Sequence, residues 1–348
     1  MLEIYAGKTA IKTLQEHGFK QELFTSFLGA SGGPKWFTLF GLDKYLFGEF
    51  FKDRAEPLNL IGSSAGAFRA ACFAQQNPIA AIERLAKTYS ETVYSTNAKP
   101  AEITQKAKEL LNTVFGTSGA QEIIDNPVFK AHFIVAKSKG LTASENKIAQ
   151  GAGLLGSYLL NRIDRRLLKS QYERFVYQPV NSSLDIHDKY GFKTTKIQFT
   201  PENINDALLA SGSIPMVMKG IKNIANSPKG MYRDGGIIDY HFDFKVKNAG
   251  LILYPHFNSS PKAGWFDKNL NRAISKDNYD NIVMLVPTDR FVSSLPYNKI
   301  PDRKDFTELE PEVRIKYWQQ VLKETEKLAD SFELLLTQNH IENIKTLS

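Results

Sequence analysis

Leu58-Asn59-Leu60-Ile61-Gly62-Ser63-Ser64-Ala65-Gly66-Ala67-Phe68-Arg69 carries the signal of a strand, a tight turn and a helix in twelve residues. A short apolar run stops at a turn of small residues, and a helix-forming segment follows at once. Glycines lie two positions before and two after Ser64, the G-x-S-x-G spelling of a nucleophile elbow. A serine held on a sharp strand-to-helix turn sits in strained backbone, so its neighbours must be small. The helix behind it points free N–H groups and a positive dipole end at the hydroxyl. Five residues alone are too short to identify a site, so the surrounding chain has to carry the argument.

Working outward, Leu23 to Leu28 reads as a buried strand running into Gly29-Ala30-Ser31-Gly32-Gly33-Pro34-Lys35. The dense apolar stretch from Trp36 to Phe51 predicts a helix buried on most sides, and Leu58 to Ile61 the next strand. A helix from Ala65 to about Gln76 follows, limited by Pro78. Strand, glycine loop, helix, strand, elbow and helix make a βαβα unit, whose natural architecture is a parallel sheet in an α/β fold. Further on, Ile79 to Tyr94 and Ala101 to Phe115 read as amphipathic helices and Phe129 to Ala136 as a strand. Gly151 to Phe175 reads as one long helix in which Leu155, Leu159, Ile163 and Leu167 recur at i+4, flanked by Arg162, Arg165, Arg166 and Lys169. Phe192 to Phe199, Leu251 to Tyr254 and Ile282 to Val286 read as strands, Ile204 to Ala210 as a helix, and Tyr232 to Gly236 as a tight turn. The segment from Phe291 to Pro311 is a polar connector, either a lid or a linker. A single helix from Glu312 to Leu336 carries the stripe Ile315, Trp318, Leu322, Ala329, Phe332 and Leu336, which should dock on the core. The chain is therefore expected to hold one catalytic domain over residues 1–310, with residues 311–348 as a helical extension packed on it.

The 348 residues, 42% hydrophobic and 23% charged, have the composition of a globular protein able to bury a large core. An excess of 44 Lys+Arg over 37 Asp+Glu gives +7, which favours anionic surfaces, either lipid headgroups or nucleic acid. Cys72 is the only cysteine, which leaves no intrachain disulfide and no cysteine metal site. No secretory leader and no apolar run of about 18 residues is evident, so a cytoplasmic location is expected.

Gly32 and Gly33 lie one βαβ unit before Ser64, at the carboxyl edge where α/β sites form. Two N–H groups aimed at a nucleophile make an oxyanion hole, each donor worth about 2.7–4 kcal/mol in the transition state. The loop matches neither nucleotide fingerprint, since Trp36 follows Lys35 and the glycine spacing differs, so no nucleotide or nucleic-acid partner is expected. A serine also needs a base. Asp234, at the head of Asp234-Gly235-Gly236, is one candidate, although an exposed aspartate titrates at about 3.9 and burial would have to raise it. Of the six histidines, His256 or His340 would satisfy the serine–acid–histidine order of a conventional hydrolase.

Taken together, Gly32-Gly33-Pro34-Lys35, Gly62-Ser63-Ser64-Ala65-Gly66, Ala210-Ser211-Gly212-Ser213-Ile214-Pro215 and Asp234-Gly235-Gly236 resemble the blocks of the patatin-like phospholipases. Order and spacing agree from about residue 23 to 240. The later stretches Leu253-Tyr254-Pro255-His256-Phe257 and Gly264-Trp265-Phe266-Asp267 look like a bacterial branch. The resemblance implies a three-layer α/β/α fold with a mainly parallel sheet, and a Ser–Asp dyad that uses no histidine. Ser64 would be the nucleophile and Asp234 the base, with the Gly32 and Gly33 N–H groups holding the oxyanion. Lys35 and Ala65 would be substrate or loop contacts. The family's loop usually carries more glycines and then Arg or Lys followed by Gly, whereas Ala30-Ser31 and Pro34-Lys35-Trp36 stand here. The implied activity is hydrolysis of lipid carboxylic esters through an acyl-enzyme, with no metal or organic cofactor. The basic cluster from Arg162 to Lys169 is open to two readings, peripheral contact with an anionic membrane surface or a solvated helix face. A Ser–His–Asp esterase, an acyltransferase and a non-catalytic lipid-binding protein are the alternatives. Oligomeric state and the particular lipid are not legible.

Overall fold

The elbow stretch forms strand Leu58–Ser63, a one-residue turn at Ser64 and helix Ala65–Phe73 in the computed structural model, which describes residues 1–247, 250–338 and 343–347. The strand pairs in parallel with Phe24–Gly29 on one side and Phe129–Ser138 on the other. Leu251–Pro255 and Ile282–Pro287 continue the parallel array beyond Phe24–Gly29. Antiparallel strands Leu2–Ala6 and Tyr172–Gln178 flank it at the two ends. The fold is thus α/β with a mainly parallel central sheet flanked by helices. Strand Ile282–Pro287 is apolar on both faces because both faces are covered. Phe27, Leu60 and Phe133 face one core with the helical residues Phe47, Phe73 and Ile82. Leu28, Ile61 and Ile134 face a second core closed by Phe242, Phe257 and Tyr279.

The elbow helix is buried along its whole length, which its Ala and Gly content allows. Ideal Cβ atoms show the constraint: one on Gly66 would lie 1.8 Å from the Gly29 carbonyl oxygen, and one on Gly62 2.3 Å from that of Gly66. The flanking glycines of the motif are therefore where helix and strands touch backbone to backbone. Arg69, on the same helix, is fully buried and donates from Nε to Asp43 Oδ2 at 2.8 Å on helix Phe40–Tyr45.

Several sequence expectations change. The predicted helix Gly151–Phe175 is three elements: helix Lys147–Ile163, a 3-10 segment Arg165–Ser170 and strand Tyr172–Gln178. The Asp164 side chain accepts the Arg166 N–H and caps the break. The aromatic and β-branched run that follows then pairs antiparallel with Phe129–Ser138, and tertiary pairing overrides the helical period. The predicted helix Trp36–Phe51 is a 3-10 segment Gly33–Leu39, helix Phe40–Tyr45 and a π turn Leu46–Phe50. The single C-terminal helix is two, Pro311–Glu324 and Glu326–Gln338, separated at Thr325. There the Thr325 hydroxyl accepts the Gly41 N–H at 2.9 Å, and an ideal Cβ on Gly41 would meet the Thr325 carbonyl oxygen at 2.4 Å. Met231–Asp234 is a strand that runs into the expected turn.

Candidate active site

Ser64 has φ 53° and ψ −126°, left-handed backbone that is costly for a residue with a Cβ. The strain is held by neighbours. The Ser64 N–H donates to Ser211 Oγ at 3.0 Å, and Ser211 in turn donates to the Ile134 carbonyl at 2.7 Å. Ser211 belongs to the Ala210–Pro215 block and is fully buried.

Asp234 arrives from the opposite direction. Strand Phe129–Ser138 pairs along one edge with Leu58–Ser63 up to Ile134, and from Val135 onward with Met231–Asp234. The first partner is parallel and the second antiparallel, so two strands run head-on toward each other. Their C-terminal ends meet where Ser63 faces Ile134 and Asp234 faces Val135. Side-chain reach closes the remaining gap: the Ser64 hydroxyl donates to Asp234 Oδ2 at 2.8 Å. Asp234 Oδ1 accepts the Gly236 N–H at 2.7 Å, and the Asp234 N–H donates to the Ser213 carbonyl at 3.1 Å. Gly235 and Gly236 have to be glycines here. An ideal Cβ would stand 2.1 Å from the Ile134 carbonyl oxygen at Gly235, and 2.6 Å from Ser31 Oγ at Gly236. Burial pushes the Asp234 carboxyl up to about 6, and the bonds from Ser64 and Gly236 hold it from rising further.

Gly32 and Gly33 border the same space, with Gly33 at φ 57°. Their N–H groups donate to no acceptor among the described residues. Ser31 fixes the loop from below, its hydroxyl meeting Ser63 Oγ at 3.0 Å. Ser63 thus ties the elbow strand to the glycine loop. Ala65 opens the elbow helix beside Ser64. A recess of about 30 Å³ lies between Gly32, Gly33, Ser64, Asp234 and Tyr240. It adjoins a cavity of about 1400 Å³ that has Ser64 in its wall and the apolar side chains Phe68, Leu110, Leu209 and Val217 around it.

Lys35, Lys268 and Arg303 are among the cations that line this space. Lys35 reaches Asp302 at 3.2 Å, with its ammonium 5.7 Å from the Phe257 ring centroid. Lys268 lies 4.0 Å from the Tyr240 ring centroid, and burial together with the Arg303 charge lowers its ammonium to about 8. Arg303 packs its stem against Gly33. Sequence reading singled out Lys35 but missed Ser211, Lys268 and Arg303. Ser211 stood in a quoted block, Lys268 directly follows Gly264-Trp265-Phe266-Asp267, and Arg303 sits in a polar connector with no local signal.

His256 is buried with Nδ1 bonded to Asn258, its ring stacks on Phe257, and burial holds it at about 3. His241 borders the large cavity but accepts the Lys262 N–H at Nδ1, and burial keeps it well below its ordinary value. Among the described residues no histidine bonds to Ser64 or Asp234. His340 lies outside the described residues. Arg165 leaves the expected basic cluster, because it is buried and paired with Asp267 at 2.8 Å.

A search among curated proteins finds no significant match. The family model described as patatin-like phospholipase matches residues 30–241, a span that opens just before the glycine loop and closes just after Asp234-Gly235-Gly236. Over the larger part of its length, and over both strands that meet at Ser64 and Asp234, this chain belongs to the patatin-like phospholipases, a family of lipid acyl hydrolases.

Proposed function

We propose that the chain is a serine acyl hydrolase that cleaves carboxylic ester bonds of lipids through Ser64 and Asp234. The observation that carries this reading is the 2.8 Å hydrogen bond from the Ser64 hydroxyl to a buried carboxylate whose titration is raised to about 6. A carboxylate at its ordinary value is a weak base, whereas one nearer neutrality takes the serine proton more readily and is still mostly ionised at pH 7. Ser64 Oγ attacks the ester carbonyl carbon as its proton passes to Asp234. The carbonyl oxygen becomes an oxyanion facing the unengaged N–H groups of Gly32 and Gly33, with the Ala65 N–H at the helix terminus as a further donor. The intermediate collapses with cleavage of the ester C–O bond, and Asp234 returns the proton to the departing alcohol. Water then gives a proton to Asp234 and attacks the acyl-serine, and loss of Ser64 Oγ, reprotonated by Asp234, frees the carboxylic acid. The recess of about 30 Å³ beside the pair has room for such a water. No step calls for a metal or an organic cofactor.

The apolar wall of the large cavity suits an acyl chain, and Lys35, Lys268 and Arg303 suit an anionic head on the same substrate. The excess positive charge supports peripheral contact with an anionic membrane surface, and the buried thiol of Cys72 suits the reducing cytoplasm. Among the described residues no helix is long and apolar enough to cross a membrane.

Fluorophosphonate labelling and short-chain ester hydrolysis test the reading. Ser64→Ala should abolish both, Asp234→Asn should slow turnover by roughly 10²–10⁴, and His256→Ala should still label. Labelling or turnover that persists in Ser64→Ala refutes it.

A further inference from the structure

Helix Lys147–Ile163 is inside out. The residues it buries are Gln150, Gly153, Ser157 and Asn161, one face of small and polar side chains at i, i+3, i+7 and i+11. Each polar one is engaged. Gln150 Oε1 accepts the Met216 N–H at 2.8 Å, the Ser157 hydroxyl bonds Gln171 at 2.6 Å, and Asn161 Nδ2 donates to Asp267 Oδ1 at 2.9 Å. The opposite face is apolar and exposed: Ile148 is 84% accessible, Leu155 60%, Leu159 52% and Ile163 78%. Those positions fall within about 80° of one another at 100° per residue, a continuous stripe on a helix about 25 Å long. Met216, whose N–H meets Gln150, therefore packs on the polar face of the helix rather than on the stripe.

Surface helices of globular proteins bury their apolar stripe, so a stripe this long turned outward needs an apolar partner. Charge decides which one. The helix contains no acidic residue, Lys147 stands at its start, Arg162 at its end and Lys169 in the following turn, all exposed. None of the three has an ion-pair partner among the described residues, whereas Asp164 is taken by Arg166. A second copy packing antiparallel on this face would bring Lys147 against Arg162, like charge on like. A bilayer of anionic lipid meets both requirements at once, with acyl chains against the stripe and phosphates against the cations. The position fits the same partner. Both ends of the helix are tied to loops that border the large cavity, Ile214–Met218 through Gln150 and the 264–268 segment through Asn161 and Asp267.

We propose that the exposed face of helix Lys147–Ile163 docks this protein on anionic membrane surfaces, with its two ends tied to loops that border the cavity. The purpose of docking rests on the lipid-hydrolase reading, but the docking itself can be measured without turnover. The full-length Ser64→Ala protein would be sedimented with vesicles of phosphatidylcholine alone and of equal parts phosphatidylcholine and phosphatidylglycerol. Binding to the mixed vesicles is expected, with much weaker binding to phosphatidylcholine. Leu155→Ala with Leu159→Ala, which introduces no charge, should weaken it by at least roughly tenfold. Arg162→Gln with Lys169→Gln should weaken it by about thirtyfold on mixed vesicles. Thermal midpoints equal to that of the parent establish that these variants are folded. Mixed-vesicle binding indifferent to the leucine pair overturns the proposal, as does a failure to bind either vesicle. A stable dimer that the leucine pair dissociates also overturns it, by assigning the face to a second copy. A negative result here leaves the ester-hydrolysis test of Ser64 untouched.

Discussion

Asp234 carries two opposite demands. In the proposed mechanism burial beside Ser64 makes it a better base, yet the same burial penalises its ionised form. The folded protein holds the Asp234 proton up to about pH 6, whereas an unfolded chain releases it near 3.8. Between those values the native state binds more protons, so stability falls as pH rises through that window. A shift of this size amounts to an order of 3 kcal/mol by linkage. Asp234→Asn should therefore unfold at a higher denaturant midpoint than the parent at pH 8, with the advantage shrinking toward pH 4. Ester turnover of the parent should rise with pH through about 6 as the base ionises. A turnover profile flat from pH 4 to 8 would separate the base from Asp234.

At the scale of elements, the site depends on two strands meeting end to end along Phe129–Ser138. That junction leaves no volume for a side chain at Gly235, where an added methyl would lie 2.1 Å from the Ile134 carbonyl oxygen. Gly235→Ala should cost about 1–3 kcal/mol in urea unfolding and should move Asp234 away from Ser64. Turnover should then drop by more than the stability loss accounts for. The elbow helix is anchored at its middle by Arg69 and Asp43, both fully buried. Removing one partner of such a pair typically costs about 3–5 kcal/mol, so Arg69→Ala should lower the unfolding midpoint sharply.

For the whole molecule, the C-terminal helices reach the site through the polar connector. Trp318 is fully buried, its indole N–H donates to Asp305 Oδ2 at 3.0 Å, and its ring lies 5.3 Å from that of Phe37. Asp305 also accepts the Asp302 N–H at 2.8 Å, and Asp302 and Arg303 border the large cavity. The packing supports taking residues 311–338 as an extension of one catalytic domain, to be tested as a single cooperative unfolding transition. Trp318→Ala should cost about 3–5 kcal/mol and should also weaken substrate binding, read as a raised KM, because the Asp302–Arg303 segment loses its support.

The sequence by itself determined what is local. An apolar run, a turn of small residues and a helix former specify the elbow strand and elbow helix through backbone sterics, and the glycines at 62 and 66 mark where backbones touch. Order and spacing of the motif blocks carried the family and the mainly parallel sheet. Features that depend on long-range pairing were set by the folded chain. The 172–178 segment is a strand because Phe129–Ser138 offers it an edge, and no local period encodes that offer. Asp234 meets Ser64 because two strands share one edge of a third, 170 residues apart in the chain. The stripe from Leu155 to Ile163 was visible in the sequence, but a period does not say which way a helix faces. Buried hydrogen bonds from Gln150, Ser157 and Asn161 turned the polar face inward and left the apolar one outside.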